Sequence, residues 1–291
     1  ARQTYRQNTL DVFMDCPTRE RAGWLCDSYF TAQSAQVFAG SAAVETVFLE
    51  NFVQARRFPD IPDGMLPMCY PADHPNGNFI PQWAMWYVIE LGGFFQRSAE
   101  ADPETFRPLC YDLLAFLEGR RNEDGLLENL PKWNFVEWSK ANQYVKDVSY
   151  PTNMLYSGML RTMASIYDDA ALEAEAERVK KTVIEQSFDG EFFVDNAVRR
   201  EGRVEPTRNR TEVCQYYAFF FGVADPGDER FAALWETVVS VFGPERKRKG
   251  LLPEIGYANA FIGNYLRMEL LLRRRRYEQV RAQQRTLRQQ R

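Results

Sequence analysis

The chain has 291 residues, 45% hydrophobic and 26% charged, which argues against disorder and suffices for one large core or two small ones. The net charge of −4 is uneven: residues 273–291 carry +7 and residues 1–272 carry −11, so the acidic body gives no reason to expect a nucleic-acid partner. No apolar run approaches the ~20 residues a membrane span needs, and five cysteines without a CxxC pair read as reduced thiols, which favours a cytoplasmic location.

Apolar residues recur at three- and four-residue spacing, the period of amphipathic helices, from the front of the chain onward. The spacing predicts helices over 2–14, 30–38, 44–53, 83–95, 106–116, 154–166, 170–184, 213–223, 231–242 and 261–272, with a weak one over 275–290. The only stretch that reads as a strand is 191–194. Short links, as at Ala39-Gly40-Ser41, alternate with long ones rich in Pro, Gly and Asn over 58–78, 121–150 and 187–210. Loops of that length in a compact domain usually carry function. The count fits an all-α ring of helical hairpins, with an irregular bundle or solenoid as the competing architecture. Residues 1–272 read as one domain and 273–291 as a basic, low-complexity terminal helix or tail.

The densest polar cluster is the run from Asp15 to Asp27, Asp-Cys-Pro-Thr-Arg-Glu-Arg-Ala-Gly-Trp-Leu-Cys-Asp. Pro17 and Gly23 break the helical period, so it is expected to be a turn between the first two helices. Glycoside hydrolysis needs two carboxyl groups in different electrostatic settings, one protonated to donate and one ionised. A carboxyl crowded by others is suited to the first task. The competing reading is an N-cap by Asp15 with ion pairs from Glu20 to Arg19 or Arg21.

This run resembles the signature D-C-P-x-R-E-R-x-G-W-x-G-D of glycoside hydrolase family 78, the α-L-rhamnosidases, in every specified position except the last Gly, where Cys26 stands. Weaker likenesses follow in family order at Pro81-Gln82-Trp83, Glu137-Trp138, 153–156, 211–221 and 257–265. The resemblance implies an (α/α)6 six-hairpin toroid, an inverting mechanism and a carbohydrate substrate. It implies that Glu20 is the general acid, that Asp15, Arg19 and Asp27 contact the ring, and that Trp24, Trp83 and Trp138 form aromatic walls. Glu137 would be a further polar contact. Flanking β-domains in a longer parent chain would fit such enzymes.

Three departures matter. After Trp83 the family shows a polar or acidic residue followed by Ala, whereas this chain has Ala84-Met85-Trp86. The family's general base lies in a Trp-Glu segment beyond the helix that here ends near Leu272; this chain has none, so base and last helix are expected to be missing. The tail is low in apolar content. Glu254 is the best stand-in for the base, with Glu212 (a first-turn residue by the helix dipole) and Asp195 poorer. No GxGxxG, Walker or HExxH motif appears, and the single His74 reads as a loop-ordering residue, so neither cofactor nor metal is expected. Two other classes stay open: a catalytically silent carbohydrate-binding or scaffold module, and another helical-toroid carbohydrate enzyme.

Overall fold

The computed structural model describes every residue except Arg56, 73–76, Ala260 and 290–291, so the expectation for His74 lies outside the described residues. The chain divides into two compact units: Ala1–Arg120 with Leu130–Asn134 and Met159–Glu175, and Arg121–Asn129 with Phe135–Gly158 and Ala176–Arg291. No helix among the described residues is long and apolar enough to cross a membrane.

The first unit holds α1 (Arg2–Gln7), α2 (Asp27–Ala39), α3 (Ala43–Gln54), α4 (Pro81–Arg97), α5 (Arg107–Glu118), the last turns of α6 (Tyr150–Tyr167) and the first of α7 (Ala170–Ser187). The front helix predicted over 2–14 is cut to one and a half turns. Asn8 is the reason: its side-chain amide donates to the Asp15 carbonyl at 3.1 Å, and its own carbonyl accepts from Met14 N–H at 2.8 Å. An Asn that bonds nearby backbone competes with the helix ladder. Helix α2 stops at Gly40, whose φ of 68° needs a residue without Cβ cost. Helix α4 starts on Pro81, pre-set for a first turn, and buries residues all around its circumference. Helices α2, α3 and α4 pack on one another around Phe48, Phe52, Trp86 and Tyr87.

The second unit holds β1 (Val148–Ser149), the first turns of α6, the rest of α7 (Ala170–Ser187), β2 (Asn196–Arg200), β3 (Arg203–Pro206), α8 (Glu212–Phe220), α9 (Ala232–Ser240), α10 (Glu245–Lys249), α11 (Gly263–Arg273) and α12 (Tyr277–Gln289). The strand expected over 191–194 is a bend instead, with one bridge between Phe188 and Phe193. The sheet lies further on, in the order β1-β2-β3, both pairs antiparallel. Its hairpin closes through Glu201 and Gly202, both at positive φ (48° and 81°), the backbone of a two-residue primed turn. Arg199 of β2 clamps Glu128 at 2.6 Å and Glu123 at 2.8 Å. Turn geometry and charge pairing thus form strands in a segment without alternating β-branched residues.

The basic tail is not simply solvated. Helix α12 packs on α11, with Val280 and Gln283 buried; Gln283 accepts from Arg267 and donates to the Asn264 carbonyl at 2.7 Å. Helix α10, Glu-Arg-Lys-Arg-Lys, carries no apolar period and escaped the sequence reading.

Candidate active site

In the first unit, the run 15–27 is a loop braced from both ends. Asp15 Oδ1 accepts from Ala22 N–H at 3.1 Å, and Asp15 N–H donates to the Ala22 carbonyl at 3.1 Å. Asp15 is therefore a loop clasp and not a helix N-cap. The clasp pushes Arg19 and Glu20 to the tip, where they pair at 3.0 Å, with Arg19 far more exposed than Glu20. Glu20 N–H donates to Cys16 Sγ at 3.3 Å. The Arg19–Glu20 ion pair of the competing reading is thus present alongside the carboxylate cluster.

Residues 23–25 then pair with 68–71. Gly23 N–H donates to Pro71 O at 3.1 Å, Tyr70 N–H to Gly23 O at 2.9 Å and Leu25 N–H to Met68 O at 3.0 Å, with Trp24 facing Cys69 across the pair. The approach at Gly23 leaves no space for a side chain: a Cβ there would sit 2.3 Å from the Tyr70 carbonyl oxygen. Because the obstacle is backbone, Gly23→Ala is expected to cost about 1–3 kcal/mol, the usual range for overpacking. Chemical denaturation against the parent chain checks this; an unchanged midpoint would contradict it.

Cys26, the one departure from the signature, has φ 71° and ψ −49°, a conformation that favours glycine. The backbone keeps the glycine-type turn, and a buried Cys occupies it. The turn delivers Asp27 as the first residue of α2. Burial pushes the Asp27 carboxyl up to about 8; repulsion from Asp15 adds to this, its own backbone amide opposes it, and Glu20 adds a smaller repulsion. The Cys69 thiol is pushed up to about 12, by burial first and then by Glu20, Asp15 and Asp27. Three carboxyl groups therefore share one electrostatic neighbourhood, which the spacing of the run anticipated.

Trp24 meets Trp133 edge to face, with centroids 6.4 Å apart and rings at 89°. Among the described residues the Trp24 indole Nε1–H has no acceptor. Trp133 is 37% exposed and was missed in the sequence; its place in a long Pro- and Asn-rich loop, five residues before Trp138, was the available signal. Its neighbour Asn134 accepts from Gln82 Nε2 at 3.0 Å, tying the loop to the first turn of α4. Trp83, expected as a wall, is only 3% exposed.

In the second unit, Glu137 is fully buried, and its two oxygens accept the backbone N–H groups of Asn259 at 2.9 Å and Gly263 at 2.6 Å. Burial pushes its carboxyl up to about 7, against the pull of those two amides. Glu137 thereby anchors the chain entering α11, while Trp138 beside it is 59% exposed and rests edge-on against Phe135. Asn259 Nδ2 closes the arrangement on the Trp138 carbonyl at 2.6 Å.

Glu254 is exposed on the rim of an open groove of about 550 Å3, together with Ser187, Thr207, Arg208 and Arg210. The other two stand-ins are buried. Glu212 pairs with Arg246 at 2.7 Å and accepts Gly243 N–H and Ala258 N–H. Asp195 accepts Thr211 Oγ1–H at 2.7 Å, while its Oδ2 has no partner among the described residues.

Burial pushes the Asp195 carboxyl from its ordinary 3.8 up to about 8, partly offset by Thr211. The folded chain thus holds a proton that the unfolded chain releases. Its contribution is complete below about pH 4 and is lost progressively as pH rises through about 8. Asp195→Asn is expected to flatten this decline, by up to about 1.4 kcal/mol per pH unit inside the window. Urea melts of both proteins at pH 5 and pH 8 read it out; equal pH slopes would contradict the assignment.

Residues 1–249 match the family described as bacterial alpha-L-rhamnosidase 6 hairpin glycosidase domain. Among solved structures the chain is similar to the GH78 family rhamnosidase of Bacillus sp. GL1, with TM-score 0.79, 18% identity, and coverage of 96% of this chain and 28% of that one. It is also similar to a rhamnosidase from Klebsiella oxytoca with rhamnose bound, with TM-score 0.71, 16% identity, and coverage of 97% and 52%. A third likeness is to a glycosidase E335A in complex with glucose, with TM-score 0.58, 16% identity, and coverage of 84% and 68%. No curated protein matches the chain. At these identities the likeness shows the fold, the six-hairpin (α/α)6 class expected from the sequence, with the small sheet β1–β3 added to it. The chain spans about a quarter of the first of these structures and half of the second.

Proposed function

The chain belongs to the bacterial α-L-rhamnosidase six-hairpin glycosidase family, and from that premise we propose that it hydrolyses terminal α-L-rhamnosyl or closely related glycosidic bonds with inversion. The observation that carries this reading is the cluster of Asp15, Glu20 and Asp27 on one clasped loop, with Asp27 pushed up to about 8 and Glu20 at the tip.

In this reading Glu20 gives its proton to the leaving oxygen as the glycosidic bond breaks. Asp15, Arg19 and Asp27 hold ring hydroxyls. Trp24 supplies an apolar face and an unused indole N–H, with Trp133 set edge-on beside it, while Trp83 is the buried third tryptophan of this reading. Trp138 gives a second aromatic surface, on a segment fixed by Glu137. Inversion also requires a carboxylate that activates water from the opposite face of the sugar. Glu254 is the candidate for that role.

The test is release of 4-nitrophenol from its α-L-rhamnoside, with L-rhamnose binding followed in parallel by tryptophan fluorescence. Release together with binding is the expected result. Binding without release would favour a carbohydrate-binding module, the second reading. Absence of both release and binding would overturn the proposal.

A further inference from the structure

Helix α2 presents Asp27, yet no side chain caps its N-terminus, and its N-cap residue Cys26 sits at φ 71°. A first turn entered through such a backbone needs another restraint. Along the axis it has Ser28 N–H donating to the Trp24 carbonyl at 3.2 Å. Across the axis it has a buried side-chain pair: Ser28 Oγ donates to Glu90 Oε2 of α4 at 2.5 Å. Ser28 is 1% exposed and Glu90 is fully buried.

Glu90 is an unexpected residue for the middle of an apolar helix. Its Oε1 has no partner among the described residues. The nearby charges, Glu45 of α3 and Arg97 of α4, neutralise each other in a pair at 2.5 Å, so Glu90 receives no direct ion pair from them. Burial first, and then Glu45, hold its carboxyl well above the usual range, while Ser28 and Arg97 oppose this. A half-satisfied buried carboxyl costs free energy that an apolar residue would not. The mechanism proposed above makes no use of it. What it contacts is the residue next to Asp27.

We propose that Glu90 is a positioning residue for Asp27: through Ser28 it pins the first turn of α2 against α4, and so sets the direction in which Asp27 meets the sugar. This rests on the reading of Asp27 as a ring contact. Asp27 itself faces Asp15 and Glu20 from the clasped loop and Cys69 from the paired segment, so any rotation of the first turn changes its electrostatic surroundings.

The experiment uses the full chain and the variants Ser28→Ala, Glu90→Leu and Glu90→Gln, each checked for folding by thermal melt. Two quantities are read: the titration midpoint of the Asp27 carboxyl by carbon-13 NMR, and the affinity for L-rhamnose by tryptophan fluorescence. Ser28→Ala and Glu90→Leu are expected to move the midpoint by about half a pH unit or more and to weaken rhamnose binding about tenfold. Glu90→Gln keeps an oxygen for Ser28 and is expected to stay within about twofold of the parent affinity. An unchanged Asp27 midpoint in folded Ser28→Ala overturns the proposal, and so does a Glu90→Gln that behaves like Glu90→Leu. Should Glu90→Leu fail to fold, Ser28→Ala still decides. Should the parent bind no rhamnose while the midpoint moves as stated, the positioning role stands and the glycosidase reading falls.

Discussion

Glu20→Gln is expected to lower turnover of an α-L-rhamnoside by about 10²–10⁴-fold, the usual consequence of losing a general acid. Glutamine keeps the shape of the side chain and can still accept from Arg19, which pairs with Glu20 at 3.0 Å at the exposed tip of the loop. The fold should therefore survive, and under the proposed role the variant loses only proton donation. That gives the result a diagnostic form. A good leaving group such as 4-nitrophenolate needs little protonation, so its kcat should fall least; a rhamnoside of a simple alcohol should lose the full factor. KM should change little under the proposed roles, in which Glu20 acts on the leaving oxygen and Asp15 and Asp27 carry the ring contacts. An equal loss for both leaving groups would assign Glu20 to another role. Glu254→Gln provides the contrast, since loss of a base is blind to the leaving group. Steady-state kinetics on the two substrates separate the cases.

Arg246→Ala is expected to destabilise the chain by about 3–5 kcal/mol, the range for breaking a buried ion pair from one side. Arg246 is fully buried in α10, and its Nε donates to Glu212 at 2.7 Å. The remaining guanidinium donors satisfy the carbonyls of Leu251 at 3.1 Å, Leu252 at 2.5 Å and Ile255 at 2.8 Å. Its plane also lies over Tyr257, 4.1 Å from the ring centroid. One side chain thus organises the whole segment 251–257, including the turn that carries Glu254. Removing it orphans three carbonyls and leaves Glu212 with only the Gly243 and Ala258 amides. The melting temperature should fall by roughly 10 °C. Adding Glu212→Gln should recover part of the loss, since the stranded charge disappears while one of the two amides keeps an oxygen acceptor. A double variant no more stable than Arg246→Ala alone would show that the carbonyl contacts, and not the ion pair, dominate. Calorimetry of the three proteins decides.

The helices were legible because each buries an apolar stripe whose period is local. Helices α2 through α9, with α11 and α12, fall where that period runs, apart from α10. Helix α10 and the hairpin β2–β3 were not legible for one shared reason: their stability comes from partners distant in sequence. Arg246 needs Glu212, 34 positions away, and Arg199 needs Glu128, 71 positions away. The front helix failed for the opposite reason, since a local competitor, Asn8, outweighs a weak apolar period.

For the candidate site, the sequence by itself determined the inventory of groups. A loop broken by Pro17 and Gly23 that brings Asp15, Glu20 and Asp27 together is written into thirteen consecutive residues, and the family signature rests on the same run. Tertiary structure decided the condition of each group. Glu137 and Glu212 became anchors because backbone amides and Arg246 converge on them, while Glu254 stayed exposed. Asp27 moved to about 8 because burial and Asp15 act on it together. Trp133 joined Trp24, and Glu90 met Ser28 across 62 residues. Spacing along the chain names the carboxyls, but a carboxyl's proton, partners and exposure depend on dielectric and neighbours, which only the packed fold supplies.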